Sequence, residues 1–410
     1  MSAGRGVSCV DLGFPSVNFD FRYLHAGKVL QRLDKDMQQE TDVAIIGGGI
    51  IGCAIAYFLR KRGVEVMVFE KGAIGGQASG AAAGLLAPLG PLSGPGPFAD
   101  LLLAGFAQLT TIVPELEDAT GLRLGYERIG ALRTVRNQKR LSHLRKRFEA
   151  WQPLGLELHW LTGQEARQLE PSLSEEVCAA IYAPQESQID AVLLTQAWYQ
   201  AAQQLGAQFF CGQEVIAIDH QQAQVRGIGL SDHRSIACKH LVLAAGAWAG
   251  QWNEGLHLSL PVSPLKGQLL TMQQPEPRLR RIIFGEAAYI APRGQQVLVG
   301  ATKEEAGFDD RVTQEGINWL RSTAIRFLPA LEHGSVQTSW AGLRPRTPDT
   351  RPVLGTAPGW KNVTIATGHN SVGIILSGIT GDTIAELVAT RQIPEIIAPF
   401  SPQRFQERLG

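Results

Sequence analysis

The chain has 410 residues, of which 44% are hydrophobic and 19% charged, with 45 glycines and 22 prolines. That composition excludes disordered and fibrous classes, and the length implies roughly two or three domains. Lysine plus arginine and aspartate plus glutamate each number 38, so the net charge is zero, leaving no electrostatic footprint for nucleic acid and no polybasic membrane patch.

The first forty residues carry Arg5, Asp11, Arg22 and Lys28 without a continuous apolar stretch, unlike a secretory signal. Residues 1–40 are therefore expected to form an N-terminal extension, either a tail or the product of a start codon upstream of Met37. Cys9, Cys53, Cys178, Cys211 and Cys238 are odd in number and form no CxxC pair. Neither a disulfide framework nor a metal site is expected, and reduced thiols fit a cytoplasmic protein.

Val43–Ile46 is a β-branched run suited to a buried parallel strand. Three glycines break it, so Val43–Leu59 is not expected to span a membrane. Ile50–Arg62 has helical spacing and Gly63 is a natural stop. Val64–Phe69 is a second strand ending at Glu70. Strand, helix and strand make a βαβ unit. Residues 75–96 read as a loop rich in Gly, Ala and Pro, with room for a short helix at Ala81–Ala83. Leu101–Leu116 and Ala191–Leu205 read as helices. Arg145–Trp160 is mixed and charged. Gln208–Val215 and Val225–Leu230 alternate as half-buried strands. His240–Ala245 is an apolar strand stopped by Gly246. Leu265–Ala301 holds several short strands punctuated by Gly and Pro, which points to an antiparallel sheet. Thr380–Thr390 reads as a late helix. The expected fold is mixed α/β (α+β), a Rossmann-like βαβ domain interleaved with an antiparallel-sheet domain.

Gly47-Gly48-Gly49-Ile50-Ile51-Gly52 matches G-x-G-x-x-G in its proper setting, after a strand and before a helix. Gly47 permits the tight turn, Gly49 lets a pyrophosphate approach backbone, and Gly52 lets helix pack on strand. The helix N-terminus favours anions. Glu70 falls where an acid accepts hydrogen bonds from ribose hydroxyls. Ser79, among small residues, is free to hydrogen-bond a phosphate. The fingerprint itself does not separate NAD from FAD.

With those segments read together, the chain resembles the D-amino-acid oxidase and glycine oxidase family of flavoenzymes over about residues 41–395. The matching segments are 43–52, 76–88, Glu214–Ala217, Leu243–Trp248, Pro264–Gln268, Tyr289–Arg293, Gly342–Pro345, Thr367–His369 and Gly373–Ile374. Their order and spacing are most similar to the glycine oxidases of thiamine biosynthesis. The resemblance implies non-covalent FAD. The expected cofactor contacts are Gly47, Gly49, Ile50, Ile51, Gly52, Glu70, Lys71, Ser79, Gly84, Leu85, Leu86, Val215, Ala245, Gly246 and Trp248. Gly342, Arg344, His369, Ser371, Val372, Gly373 and Ile374 are expected around the flavin ring. The implied FAD domain covers 41–115, 165–260 and 338–395, the substrate domain 116–164 and 261–337, and a C-terminal tail 396–410.

The resemblance implies oxidation of a small amino acid or amine to an imine, with oxygen as acceptor and hydrogen peroxide as product. A quinone or partner protein is the alternative acceptor. Homo-oligomers are common in the family, but no motif marks one here. Arg344 matches the arginine that clamps the substrate carboxylate; the competing reading pairs it with Asp349. Tyr289 matches a pocket tyrosine; the competing reading is a buried strand residue. Lys266 reads first as structural and second as an aid to oxygen. Lys303 is expected to face the pocket. Ser371 stands where glycine oxidases carry an arginine, which removes a charge from that turn.

Overall fold

The computed structural model describes residues 39–274 and 276–406. The chain opens with β1 (Gln39–Ile46), α1 (Ile50–Lys61), β2 (Val66–Glu70), β3 (Leu85–Leu86), α2 (Pro97–Thr120), β4 (Ala131–Val135), α3 (Gln138–Trp151), β5 (His159–Thr162) and α4 (Gly163–Leu169). It continues through β6 (Ala179–Ala183), β7 (Ser187–Gln188), α5 (Ala191–Gln204), β8 (Gln208–Cys211), β9 (Val215–Gln221), β10 (Gln224–Leu230) and β11 (Ser235–Leu243). The last part holds β12 (Ser263–Gln273), β13 (Ile282–Phe284), β14 (Tyr289–Arg293), β15 (Gln296–Gly300), α6 (Gln314–Phe327), β16 (Val336–Arg346), β17 (Val353–Thr356), β18 (Val363–Thr367) and α7 (Gly373–Thr390).

The first sheet runs β17-β18-β11-β1-β2-β8, with β10 and β9 added beside β11. β1 is parallel to both of its neighbours, β11 and β2. Its central position explains why Val43–Ile46 is apolar without alternation. α1, α2, α5 and α7 bury one face of this sheet in a core that includes Ile55, Leu59, Leu101 and Trp198. α2 and α7 are long and apolar enough to cross a membrane by length and composition, and here much of each is buried inside the protein. Gly63, with φ +74°, ends α1 as its sequence indicates.

The second sheet runs β16-β12-β15-β14-β13-β4-β6-β5. It is antiparallel except where β13 meets β4. α6 packs Ile317, Leu320, Ala324 and Phe327 against Leu270, Met272, Val297 and Val299 on one face. The other face looks toward the βαβ unit.

Several boundaries differ from the sequence expectation. Gln39 and Glu40 belong to β1, while the rest of the expected N-terminal extension lies outside the described residues. β6, at 179–183, pairs with β4 and β5, so it leaves the FAD stretch for the second sheet. β16 likewise joins the second sheet through β12. A short apolar strand such as β6 carries no mark of which sheet it will enter, and β16 is assigned to the second sheet by its long pairing with β12. Residues 396–406 are not a tail: Ile397, Phe400 and Phe405 are buried, and Arg404 pairs with Asp349. Ala81–Ala83 forms no helix, because it leads into Gly84 (φ +74°) and the short strand β3.

His240 on β11 ties the first sheet to the end of α7. Its Nδ1 accepts from Arg391 Nη1 at 2.8 Å, which leaves Nε2–H to donate to Thr364 Oγ1 at 2.8 Å. Burial, and then the Arg391 charge, push its pKa down to about 3. The unfolded chain therefore binds a proton at His240 that the folded chain refuses. The stabilisation is full above the unfolded pKa of about 6.5 and is lost as pH falls toward 3, so it costs about 2 kcal/mol between pH 6.5 and 4.5. Urea unfolding across that range should show a shallower loss of stability in H240Q than in the wild type.

Candidate active site

The nucleotide end is built where β1 stops. Gly47 has φ +111°, and a Cβ there would overlap the Ala244 carbonyl. A Cβ on Gly52 would overlap Gly47 O, so α1 can sit this close to β1 only with glycine at both positions. Ile50 N–H, the first of α1, donates to Ser79 Oγ at 3.0 Å. The Ile51 and Gly52 N–H groups have no acceptor within the helix. Ser79 thus sits on the positive end of the helix with its own O–H free to donate.

Glu70 is fixed by two backbone donors. Gly48 N–H reaches Oε2 at 2.8 Å and Gly72 N–H reaches Oε1 at 2.8 Å. Each oxygen keeps a lone pair for a ribose hydroxyl. Gln213 N–H bonds Glu70 O at 3.0 Å, which brings buried Val215 beside this end. Lys71 lies with Nζ 4.2 Å above the Trp248 ring, and Trp248 tilts against Phe308. Burial lowers the Lys71 pKa against the opposing pull of Glu214 and Glu70. Ala245 and Gly246 turn the chain beside Gly47, where Ala244 N–H bonds Ile46 O.

The loop after β2 lies between the two sheets. Trp340 Nε1 donates to Ala81 O at 3.1 Å and Arg293 Nη2 donates to Ala83 O at 3.1 Å. A Cβ on Gly342 would overlap Ala81 Cβ. Leu85 packs toward the second sheet, whereas Leu86 is fully buried in the first core. Gly84 is pressed against Ile189 O, leaving no room for a side chain.

The turn before α7 closes the far end. His369 is buried and its Nε2 bonds Thr380 Oγ1 at 3.1 Å. Burial pushes its pKa down to about 3, so it is neutral at ordinary pH. It braces the turn on α7. Asn370 N–H bonds Pro345 O, while its buried Oδ1 has no partner among the described residues. Ser371 is exposed, and Val372 caps α7 ahead of Gly373 and Ile374.

Arg344 and Tyr289 come together on the sheet face that looks toward this loop. Residues paired across antiparallel strands share a face. The register Leu265↔Arg344, Gly267↔Gly342, Leu269↔Gly300 and Gly300↔Tyr289 therefore places both side chains beside Gly267 and Gly300. A Cβ on Gly267 would overlap the guanidinium, and one on Gly300 would overlap the phenol. These two glycines are the residues the sequence reading missed; alternation along β12 and β15 was the signal. Arg344 donates to Thr302 O at 3.1 Å and Lys266 O at 3.4 Å and meets no carboxylate among the described residues. Asp349 is taken by Arg404. Burial lowers the Arg344 pKa, opposed by Tyr289, and burial raises the Tyr289 pKa to about 12. The phenol therefore remains a donor.

Lys266 lies on the opposite face, one residue out of phase. It is buried, pairs with Glu304 Oε2 at 3.3 Å, and shares that carboxylate with Gln268 and Thr302. This supports its structural reading.

A helix end with free N–H groups, a braced ribose acid, glycine-cleared backbone and an orphaned buried acceptor at Asn370 fit a flavin dinucleotide. The chain belongs to the FAD dependent oxidoreductase family, whose profile matches residues 42–387. It is an FAD-dependent oxidoreductase of the glycine oxidase and D-amino-acid oxidase type. Glycine oxidase of Geobacillus kaustophilus is 35% identical over 91% of this chain and all of its own length. The bifunctional protein ThiO/ThiG of Synechocystis is 38% identical over 90% of this chain, a match that spans 55% of that longer protein. The crystal structure of the G. kaustophilus enzyme superposes with a TM-score of 0.86 at 34% identity, covering 90% of this chain and 99% of that one.

G52A should lose flavin, because neither Gly47 O nor the strand end can move away. The flavin-to-protein ratio after purification should fall about tenfold or more. S79A removes only a hydroxyl, so it should fold normally and show weaker FAD affinity in a titration of the apoprotein.

Proposed function

We propose that the protein oxidises the CH–NH bond of glycine or another small amino acid to an imine, with oxygen as the electron acceptor and hydrogen peroxide as product. The observation that carries this reading is Arg344, partly buried, without a carboxylate partner among the described residues, and beside a neutral Tyr289. Bound FAD would supply the hydride acceptor for the substrate α-carbon and the route by which the electrons reach oxygen. The protein's part is positional. Arg344 spends donors on two carbonyls and keeps others for a substrate carboxylate, which a planar guanidinium binds in two parallel hydrogen bonds. Tyr289 O–H donates to the same carboxylate. Two contacts at one end of the substrate fix the α-carbon against the cofactor, and orientation is most of what hydride transfer requires. No paired carboxylates or nucleophilic triad is needed for this step. Similarity to the glycine oxidases supports glycine as substrate and a place in thiamine biosynthesis.

The test is the visible flavin spectrum before and after anaerobic mixing with glycine, followed by air. Bleaching, then return of colour with peroxide, is the expected result. Colour that stays bleached in air but returns with a quinone dye overturns oxygen as acceptor. A spectrum unchanged by every small amino acid overturns the reading. R344M should keep its flavin and lose about a hundredfold or more in kcat/KM, equal to about 3 kcal/mol. Y289F should lose about tenfold, measured as peroxide formation under steady state.

A further inference from the structure

We propose that Lys303 forms a second anion subsite beside Arg344, so that the preferred substrates are amines carrying two carboxylates. The inference rests on the reading of Arg344 as the clamp for the first carboxylate.

The placement follows from alternation. Glu304 forms an antiparallel bridge with Lys266, and their side chains pair on the face away from Arg344. Thr302 points the same way, since its hydroxyl bonds Glu304. Lys303 and Glu305 must then project on the Arg344 face. Glu305 verifies this independently. It makes a bidentate pair with Arg346, which lies two residues beyond Arg344 on β16 and shares its face. Lys303 thus lies on the clamp's face, between Thr302 and Glu305 in sequence, and its own peptide bond carries the Thr302 carbonyl that Arg344 grips.

Charge then selects the ligand. Arg293 on this face is matched by Asp190 at 3.5 Å, and Arg346 by Glu305. Arg344 and Lys303 have no carboxylate among the described residues. A substrate with one carboxylate satisfies Arg344 and leaves the exposed ammonium of Lys303 without a counter-ion. A second carboxylate, hung from the substrate nitrogen or from its α-carbon, supplies one.

The test uses purified holoenzyme and two pairs of ligands that differ by one carboxylate. Diglycolate and methoxyacetate are non-oxidisable and are titrated by the shift of the oxidised flavin spectrum. Iminodiacetate and sarcosine are their amine counterparts and are followed by anaerobic flavin reduction. Wild type should prefer the dicarboxylate of each pair by about tenfold, K303R should keep the preference, and K303M should bring each pair within about twofold. K303M should slow iminodiacetate reduction by a larger factor than sarcosine reduction. Equal affinity of the wild type for diglycolate and methoxyacetate overturns the proposal, as does a K303M loss that is the same for both. If neither amine bleaches the flavin but K303M still abolishes the diglycolate preference, amine oxidation fails while the subsite stands. Aspartate tested beside iminodiacetate distinguishes a second carboxylate on the carbon side from one on the nitrogen side.

Discussion

The antiparallel pairing of β12 with β16 is the constraint on which the site depends. It sets Leu265 against Arg344 and Gly267 against Gly342. Because neighbouring residues on a strand face opposite ways, one register assigns every side chain in this region to a face. A slip of β16 by one residue would send Arg344 toward α6, and a slip of β12 would instead turn Lys266 to the opposite face. Gly267 and Gly300 then become necessary, since the guanidinium and the phenol occupy the volume their side chains would fill.

A second close approach organises the other sheet. Gly52 rests on Gly47 O, which holds the first turn of α1 against the end of β1. Ser79 and the loop behind it are fastened to that turn through Ile50 N–H, and the same loop is fastened to the second sheet through Trp340 and Arg293. The loop therefore couples the start of α1 to the second sheet. Its composition of small residues reflects confinement between two sheets, and the same confinement excludes a helix at Ala81–Ala83.

The βαβ unit was legible because its signals are local. A buried parallel strand, a glycine turn and an acid at a fixed distance can be read without any partner, and Glu70 does meet Gly48 N–H. The helices at 191–204 and 373–390 were legible in part for the same reason, although Gly373–Ile379, about two turns at the start of the latter, was hidden by Gly373 and its flanking turn. Sheet membership was not legible. Ala179–Ala183 is equally suited to either sheet, and its choice is made by pairing with β4, far away in sequence. The anchoring of 396–406 was hidden likewise, because Arg404 finds Asp349 only in the folded chain. Arg344 was placed by family resemblance, but that it meets no carboxylate among the described residues is a tertiary fact.

The two faces of β12 divide the charges of the site in a way that bears on its chemistry. Behind the sheet, the Lys266 ammonium meets Glu304, whose pKa is raised by burial but lowered further by the donors Thr302, Gln268 and Lys266. Such a pair, with Lys266 buried and Glu304 partly exposed, adds little net stability, since the desolvation of Lys266 offsets much of the attraction. Its effect is geometric. Lys266 O accepts both Glu304 N–H and Arg344 Nη1, so the ion pair on one face positions the carbonyl that orients the guanidinium on the other. Charge is neutralised where the sheet must be rigid and left open where a ligand must enter. Among the described residues Arg344 keeps no carboxylate partner on the opposite face, and the sheet that presents it is braced from behind by the Lys266–Glu304 pair.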